Sequence, residues 1–292
     1  MQQEKTVNHL AGIVPIASPD NMFNMPWHDT LMPIADNYTA IERAVFECAV
    51  AGCDTIWIVG HLGTQPLIKK VVGEMIYDPA TIYSRPEMVN TRHDIKRRKE
   101  IQIYYIPIHP KNRDRHDSLG HSILYGADTA YKVCSEISRW TTPKKFYCAF
   151  PFGVVPESVI YENRDIISSN TNIIFCHDGL SVKDNKHISF TFKTSEFKRC
   201  KDNLKEYALH VWHNSDRSMN TVRTLNMKLN EIFYPLDLSE YVIRDLPWFH
   251  EINSWDNYKN FLKSDENKLV YKRDNIFLTT KRYELFEGVN DT

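Results

Sequence analysis

Three places in this sequence hold residue types that can do chemistry. Cys176, His177 and Asp178 stand in a row. A nucleophile, a base and an orienting carboxylate are the components of a hydrolytic triad, and the same types ligate metals. Adjacent residues do not converge on one point, so the row reads as a turn at a strand end. His109, His116 and His121 flank one loop. Zinc sites use tighter spacing, with cysteines or supporting carboxylates, so these read as loop histidines; His121 can equally open a helix or belong to a site. The third place is the polar loop of Ser18, Pro19, Asp20 and Asn21. Its claim rests on the elements around it.

Those elements alternate. Residues 13–17 form a short apolar run, and the loop follows at once. Ile41, Ala44, Val45, Cys48 and Ala49 then recur at helical spacing until Gly52 stops them. Residues 55–59 make a second apolar, partly β-branched run. Strand, loop, helix and strand in about fifty residues is a βαβ unit, which implies parallel pairing. Ligands of open parallel sheets sit at the carboxyl ends of the strands, which makes 18–21 the first place to look. Helices are expected at 67–75 and 122–140, and strands at 101–108 and 146–150. Pro107 marks a strand end or a sheet edge. Beyond 165 the pattern changes. Two strands, 172–176 and 187–192, surround an Asp-Gly and Asp-Asn turn region; helices follow at 198–212, 219–233 and 255–262, with a late strand pair in 268–278. Trp248, Phe249, Trp255 and Tyr258 read as core packing first and as a binding surface second. The expectation is one α/β domain over 1–292, with a mainly parallel, mixed sheet flanked by helices. Residues 10–165 form its nucleotide-binding-type core and 166–292 an elaborated second half.

Composition narrows the function. The chain has 292 residues, 42% hydrophobic and 25% charged, which is ordinary for a globular protein. A net charge of −1 and the lack of basic–aromatic interleaving argue against nucleic acid as a partner. The basic run RHDIKRRK at 92–99 reads as a solvated face. No apolar run approaches the roughly 20 residues that span a bilayer, so no membrane is expected. The first nine residues are polar and resemble no signal peptide. Six cysteines without a CxxC pair read as reduced, buried thiols. A cytoplasmic protein is expected, in the host cytoplasm if the Lys-, Asn- and Ile-rich composition reflects a viral genome.

Several segments together resemble the sugar-1-phosphate nucleotidyltransferases, especially the UTP–glucose-1-phosphate uridylyltransferases. GIVPIASPDNMF occupies the place of that family's first strand and G-x-G-T-R loop, and DTLMPIAD that of its P-K-x-x-L-P block. IERAVFECAVAGCDTIWIVGH matches its helix, Ala-Gly stop and second strand; Ser118 to Leu124 matches its L-G-H-A-hydrophobic motif; HEINSWDNYKNFL matches its late E-I-D-x-x-x-D-Y segment. The resemblance implies a Rossmann-like, GT-A-type nucleotidyltransferase fold. It also implies a nucleoside triphosphate or sugar phosphate as ligand, with Ala17, Ser18, Pro19, Asp20, Asn21, Gly120 and His121 around it. In the family two glycines close on the triphosphate, an Arg and a Lys neutralise it, and two carboxylates hold Mg²⁺. Here the loop glycines become Ser18 and Asp20, the Arg position falls on Met22 and the Lys position on Asp29. The first metal carboxylate falls near Phe152 or Gly153, and the second on Asn253. Four such departures imply altered or absent catalysis: no catalytic residue, metal ligand or cofactor is assigned. The chain then acts in ligand binding, regulation or structure, alone, as a homo-oligomer or with a protein partner. The alternative is an active, divergent nucleotidyl- or glycosyltransferase that uses Mg²⁺ and other groups.

Overall fold

The computed structural model describes residues 9–17, 22–80, 99–108, 118–214, 227–272 and 277–278; the side chains of 140, 208–214 and 277–278 are outside this description. In chain order the strands are β1 (Leu10–Pro15), β2 (Pro33–Ala35), β3 (Tyr38–Thr39), β4 (Thr55–His61), β5 (Met75–Tyr77), β6 (Glu100–Ile108), β7 (Lys145–Cys148), β8 (Gly153–Val154), β9 (Asn172–Cys176), β10 (Phe190–Lys193), β11 (Tyr241–Asp245), β12 (His250–Glu251) and β13 (Phe277–Leu278). The α-helices are α1 (Ala40–Val50), α2 (Gln65–Val72), α3 (Leu119–Ile137), α4 (Glu157–Glu162), α5 (Arg164–Ser168), α6 (Thr194–Asn214), α7 (Leu229–Ile232) and α8 (Trp255–Lys263).

Every residue of β1 is buried, because helices cover both faces of the sheet. Its register with β4 runs from Ala11 opposite Thr55 to Pro15 opposite Val59. The sheet has nine strands in the order β11-β9-β10-β7-β1-β4-β6-β5-β13. Only β5 and β10 run against the others. Alternate residues of β1 and β4 feed two cores. Val14, Ile56 and Ile58 pack with α1, α2, α4 and α5. Ile13, Trp57 and Val59 pack with α3, α6 and α7. The expected α/β class and the pairing of the two first apolar runs are therefore observed, and the sheet draws strands from both halves of the chain.

Local chemistry explains where elements start and stop. Thr39 and Glu42 form a reciprocal capping box on α1. Gly52 ends the turn after it with φ +90°, and a Cβ there would lie 2.9 Å from Arg164 Nε, so glycine is required twice over. Helix α3 begins at Leu119 rather than 122: the Ser118 hydroxyl caps the His121 N–H, so the motif residues form its first turn. The helix expected at 67–75 stops at Gly73, and Met75 enters β5. Pro107 lies in the part of β6 that β5 does not reach, since that pairing ends at Gln102. Of the expected late strand pair, the described residues show a 3-10 turn, Glu266–Leu269, and β13, which pairs with β5; 273–276 lie outside the description. Of the helix expected at 219–233, α7 lies in the described residues; 215–226 do not. Lys145, buried in β7, donates to the carbonyls of Ile166, Ser169 and Thr171 and holds the end of α5 to the sheet.

Candidate functional site

Strand order runs from β1 through β4 to β6 on one side and resumes with β7 on the other. It reverses between β1 and β7, where open α/β sheets form a ligand crevice at the strand carboxyl ends. Beyond β1, the N–H groups of Ile16 and Ala17 both reach Val59 O, at 2.9 and 3.2 Å. Ala17 is fully buried in the core that also holds Ile123 and Leu124 of α3. Ser18, Pro19, Asp20 and Asn21 lie outside the described residues.

The chain re-enters with Met22 and Phe23. Asp29, 6% exposed, receives the Phe23 N–H on Oδ2 at 3.3 Å; its Oδ1 has no hydrogen-bond partner among the described residues. His28 beside it takes the Thr30 hydroxyl on Nδ1 at 2.8 Å and bonds the Ile16 backbone. Burial holds its pKa below the ordinary histidine value; Asp29 works against that shift and His61 with it. Met22 packs against the aromatic cluster formed by Phe23. At the two positions where the resemblance implies cations stand a thioether and a carboxylate that help to seat Phe23.

The end of β7 supplies the opposite wall, residues 150–153. On its inner side lies a buried polar network. Arg43 donates to Glu47 at 2.6 Å and to Phe150 O at 2.5 Å, and both side chains are fully buried. Glu47 also accepts from Tyr147 at 2.7 Å and from Ser189. Burial first, then Glu47, pushes the Tyr147 phenol well above its usual pKa. On the outer side, Phe152 is 5% exposed and meets Phe23, itself 2% exposed, at 6.3 Å between ring centres. Trp255 and Tyr258 complete the cluster edge-on to Phe23 at 5.3 and 6.1 Å. Strands β8 and β12 pair Gly153 with Glu251, and Ile252 N–H donates to Phe152 O at 2.7 Å. This brings the two positions matched to the family's metal carboxylates to neighbouring strands, carrying Phe152 and Asn253. Asn253 is exposed and accepts from Asn257 at 2.6 Å. Mg²⁺ takes oxygen ligands, mostly carboxylate and water, and a buried aromatic ring beside one amide does not fit it. Among the described residues no group of three His, Cys, Asp or Glu side chains could hold a metal ion.

The remaining sequence candidates separate. Gly120 is buried, and a Cβ on it would lie 2.5 Å from Ile232 of α7. The His121 ring is half-buried and stacks with Tyr125. His109 and His116 lie outside the described residues. Cys176, His177 and Asp178 diverge, as their adjacency implies. The Cys176 thiol bonds Asp245, and burial followed by Asp245 pushes its pKa up to about 12. His177 turns to Leu246 O, and the Asp178 carboxylate is 86% exposed. All six cysteines are buried and unpaired. The Arg43–Glu47 pair escaped the sequence reading, although its signal is there: opposite charges four apart in a helix that is apolar but for its capping residue Glu42.

No family model and no curated protein matches the sequence. Solved structures do match. A UTP-bound UGPase from Acinetobacter baumannii superposes with TM-score 0.54 at 11% identity, covering 96% of this chain and 99% of that one. A UDP-glucose pyrophosphorylase complexed with UDP-glucose gives 0.54 at 12% identity, over 89% and 99%. A Bacillus anthracis protein described as a glucose-1-phosphate thymidylyltransferase, in complex with sucrose, gives 0.53 at 8% identity, over 90% and 98%. The fold is that of the sugar-1-phosphate nucleotidyltransferases. At these identities the likeness is one of fold, and the chemistry has to be argued from the side chains. No helix among the described residues is long and apolar enough to cross a membrane.

Proposed function

We propose that this chain is a single-domain, nucleotidyltransferase-fold protein that binds a nucleoside triphosphate or sugar phosphate between β1 and β7 without transferring nucleotidyl groups. It serves in ligand binding, regulation or structure, and its reduced thiols suit the cytoplasm. One observation carries the reading: Met22 and Phe152, which the resemblance matches to the family's Arg and to its first metal carboxylate, pack into one apolar cluster with Phe23. The transition state spreads negative charge over phosphate oxygens, and cations carry most of its stabilisation. Loss of one such group costs about 10² to 10³ in rate. Removing both cations and the metal ligands therefore brings transfer to background, even with strong non-additivity.

The test is pyrophosphate release across the common nucleoside triphosphates and hexose 1-phosphates, with and without Mg²⁺, beside a thermal-shift titration of the same ligands. The expected result is stabilisation by at least one ligand and no turnover. Turnover at or above about 1 s⁻¹, the lower end of ordinary enzyme rates, defeats the non-catalytic reading. No ligand-dependent shift defeats the binding reading. One feature favours the alternative, a divergent transferase: the Oδ1 of buried Asp29 at the crevice edge, which has no hydrogen-bond partner among the described residues. On that reading Asp29→Asn abolishes the turnover found.

A further inference from the structure

Helix α1 ends in a turn whose hydrogen bonds bring two particular side chains together. The Gly52 N–H donates to Ala49 O at 3.1 Å, and the Cys53 N–H donates to Cys48 O at 3.1 Å. Between them Gly52 takes φ +90°. This pair of bonds around a left-handed glycine is a Schellman motif. In that motif the residue just beyond the glycine touches the one five positions before it, and the contact is ordinarily apolar. Here both members are thiols.

Cys48 and Cys53 are fully buried in the core that α1 shares with one face of β1 and β4. Their side chains hydrogen-bond to each other. Gly12 of β1 faces them, and a Cβ built on it would lie 2.9 Å from one sulfur and 3.1 Å from the other. The absent side chain leaves the two sulfurs one shared space. The other four cysteines are placed apart from it. Cys134, Cys148 and Cys200 belong to the core on the opposite face of the sheet. Cys176 bonds Asp245 at the end of β9. Burial first, then the bond to Cys53, pushes the Cys48 thiol well above its usual pKa, so the closed pair reacts slowly. Access runs through the turn. Gly52 and Asp54, on either side of Cys53, are half-buried, and a helix end opens more readily than a sheet core.

We propose that Cys48 and Cys53 are a latent disulfide, closed by a hydroperoxide, that fastens the end of α1. This is the helix whose Arg43 and Glu47 hold the Phe150 carbonyl. The peroxide O–O bond breaks as one thiol becomes a sulfenic acid and the other oxygen leaves as water. The second sulfur then attacks the sulfenic sulfur, the S–S bond forms, and a second water leaves. Two thiols are oxidised and one peroxide is reduced to two waters.

The experiment incubates the full chain with hydrogen peroxide for hours, the slow end of disulfide formation. It is then denatured with N-ethylmaleimide and digested with trypsin. Cleavage after Arg43 and Lys69 puts Cys48 and Cys53, and no other cysteine, on the peptide 44–69. That peptide should lose two hydrogens and take up no maleimide. The urea midpoint of the oxidised protein should rise, because the cross-link restricts the unfolded chain, and dithiothreitol should reverse both changes. Cys53→Ala should abolish the hydrogen loss and the rise, and Cys134→Ala should keep them. The proposal is overturned if both cysteines of 44–69 remain alkylated, if the peptide gains oxygen instead of losing hydrogen, or if either cysteine is joined to another peptide. An unchanged or lower midpoint in the cross-linked protein overturns it as well. None of these outcomes depends on whether the crevice binds a ligand.

Discussion

On one side of residues 150–153, α1 brings Arg43 and Glu47 against Tyr147, Ser189 and the Phe150 carbonyl. On the other, Phe23, Phe152, Trp255 and Tyr258 meet without a charge among them. The first region is fully buried, the second is buried except for Trp255, which is 39% exposed, and both fix the same stretch of backbone by different physics. A buried ion pair is costly to assemble and costlier to break, so it specifies one geometry and tolerates little change. An aromatic cluster is held by area and shape, and accepts other apolar groups of similar volume. The charge in this crevice wall thus lies behind the backbone, where it positions Phe150, and not in front of it, where it could meet a phosphate.

The polar side should yield the largest effect. Glu47→Ala removes the acceptor of Arg43, Tyr147 and Ser189 together and leaves a buried guanidinium uncompensated. A loss of about 3–5 kcal/mol in urea-unfolding stability is expected. The double variant Arg43→Met, Glu47→Leu should recover most of that loss, because well-packed apolar groups replace a buried pair at little net cost. If the double variant is as unstable as the single one, the network holds the fold through something other than charge pairing.

The aromatic side should be more forgiving. Phe152→Met keeps volume and apolarity, and should cost less than about 1.5 kcal/mol. Phe152→Ala opens a cavity and should cost about 3–5 kcal/mol. A methionine variant as damaged as the alanine one would mean that ring geometry, not apolar filling, sets this wall.

The same contrast explains what was legible in the sequence. Strands β1, β4, β6, β7 and β9 are apolar runs long enough to announce themselves, and α1 carries both its cap and its glycine stop. Strands β5, β8, β12 and β13 have two or three residues each, and their pairing depends on partners far away in sequence, so no local pattern marks them. Strand β11 was hidden by its own composition: Arg244 and Asp245 are exposed at the sheet edge, where a strand needs no continuous apolar run. The βαβ pattern of the first fifty residues pointed to the carboxyl end of β1, and the structure shows that the strand order reverses beside that strand. What lines the crevice wall was not legible, because the contact of Phe23 with Phe152 and Trp255 spans most of the chain. Of the aromatic residues that read as core, Tyr258 is buried, Trp248 and Phe249 are half-buried against two different clusters, and Trp255 is 39% exposed.

The smallest expected effect is a pH slope, and it falls on the crevice rather than on the network. His187 stacks on Phe150 and faces Glu251 at 3.4 Å and Lys186. Burial is the largest influence on it and lowers its pKa; Glu251 acts the other way and Lys186 with burial. His28 at the opposite rim is lowered in the same direction, again chiefly by burial. A histidine held neutral in the fold but free to protonate when unfolded makes the unfolded state bind more protons below its ordinary pKa, near 6.5. Stability from these two residues is therefore complete above about pH 6.5 and is lost as pH falls from there through the depressed folded values. Tyr147, pushed upward, stays neutral throughout this window, so the network contributes no phenol titration to it. Urea midpoints of the parent protein should fall between pH 7.5 and 5.5, and the fall should be shallower in His187→Asn, whose side chain cannot take the proton. A steeper fall in the variant than in the parent would show that Glu251 wins over burial and that His187 enters the fold already charged. It would also place a cation beside the apolar wall, and so narrow the difference between the two sides of residues 150–153.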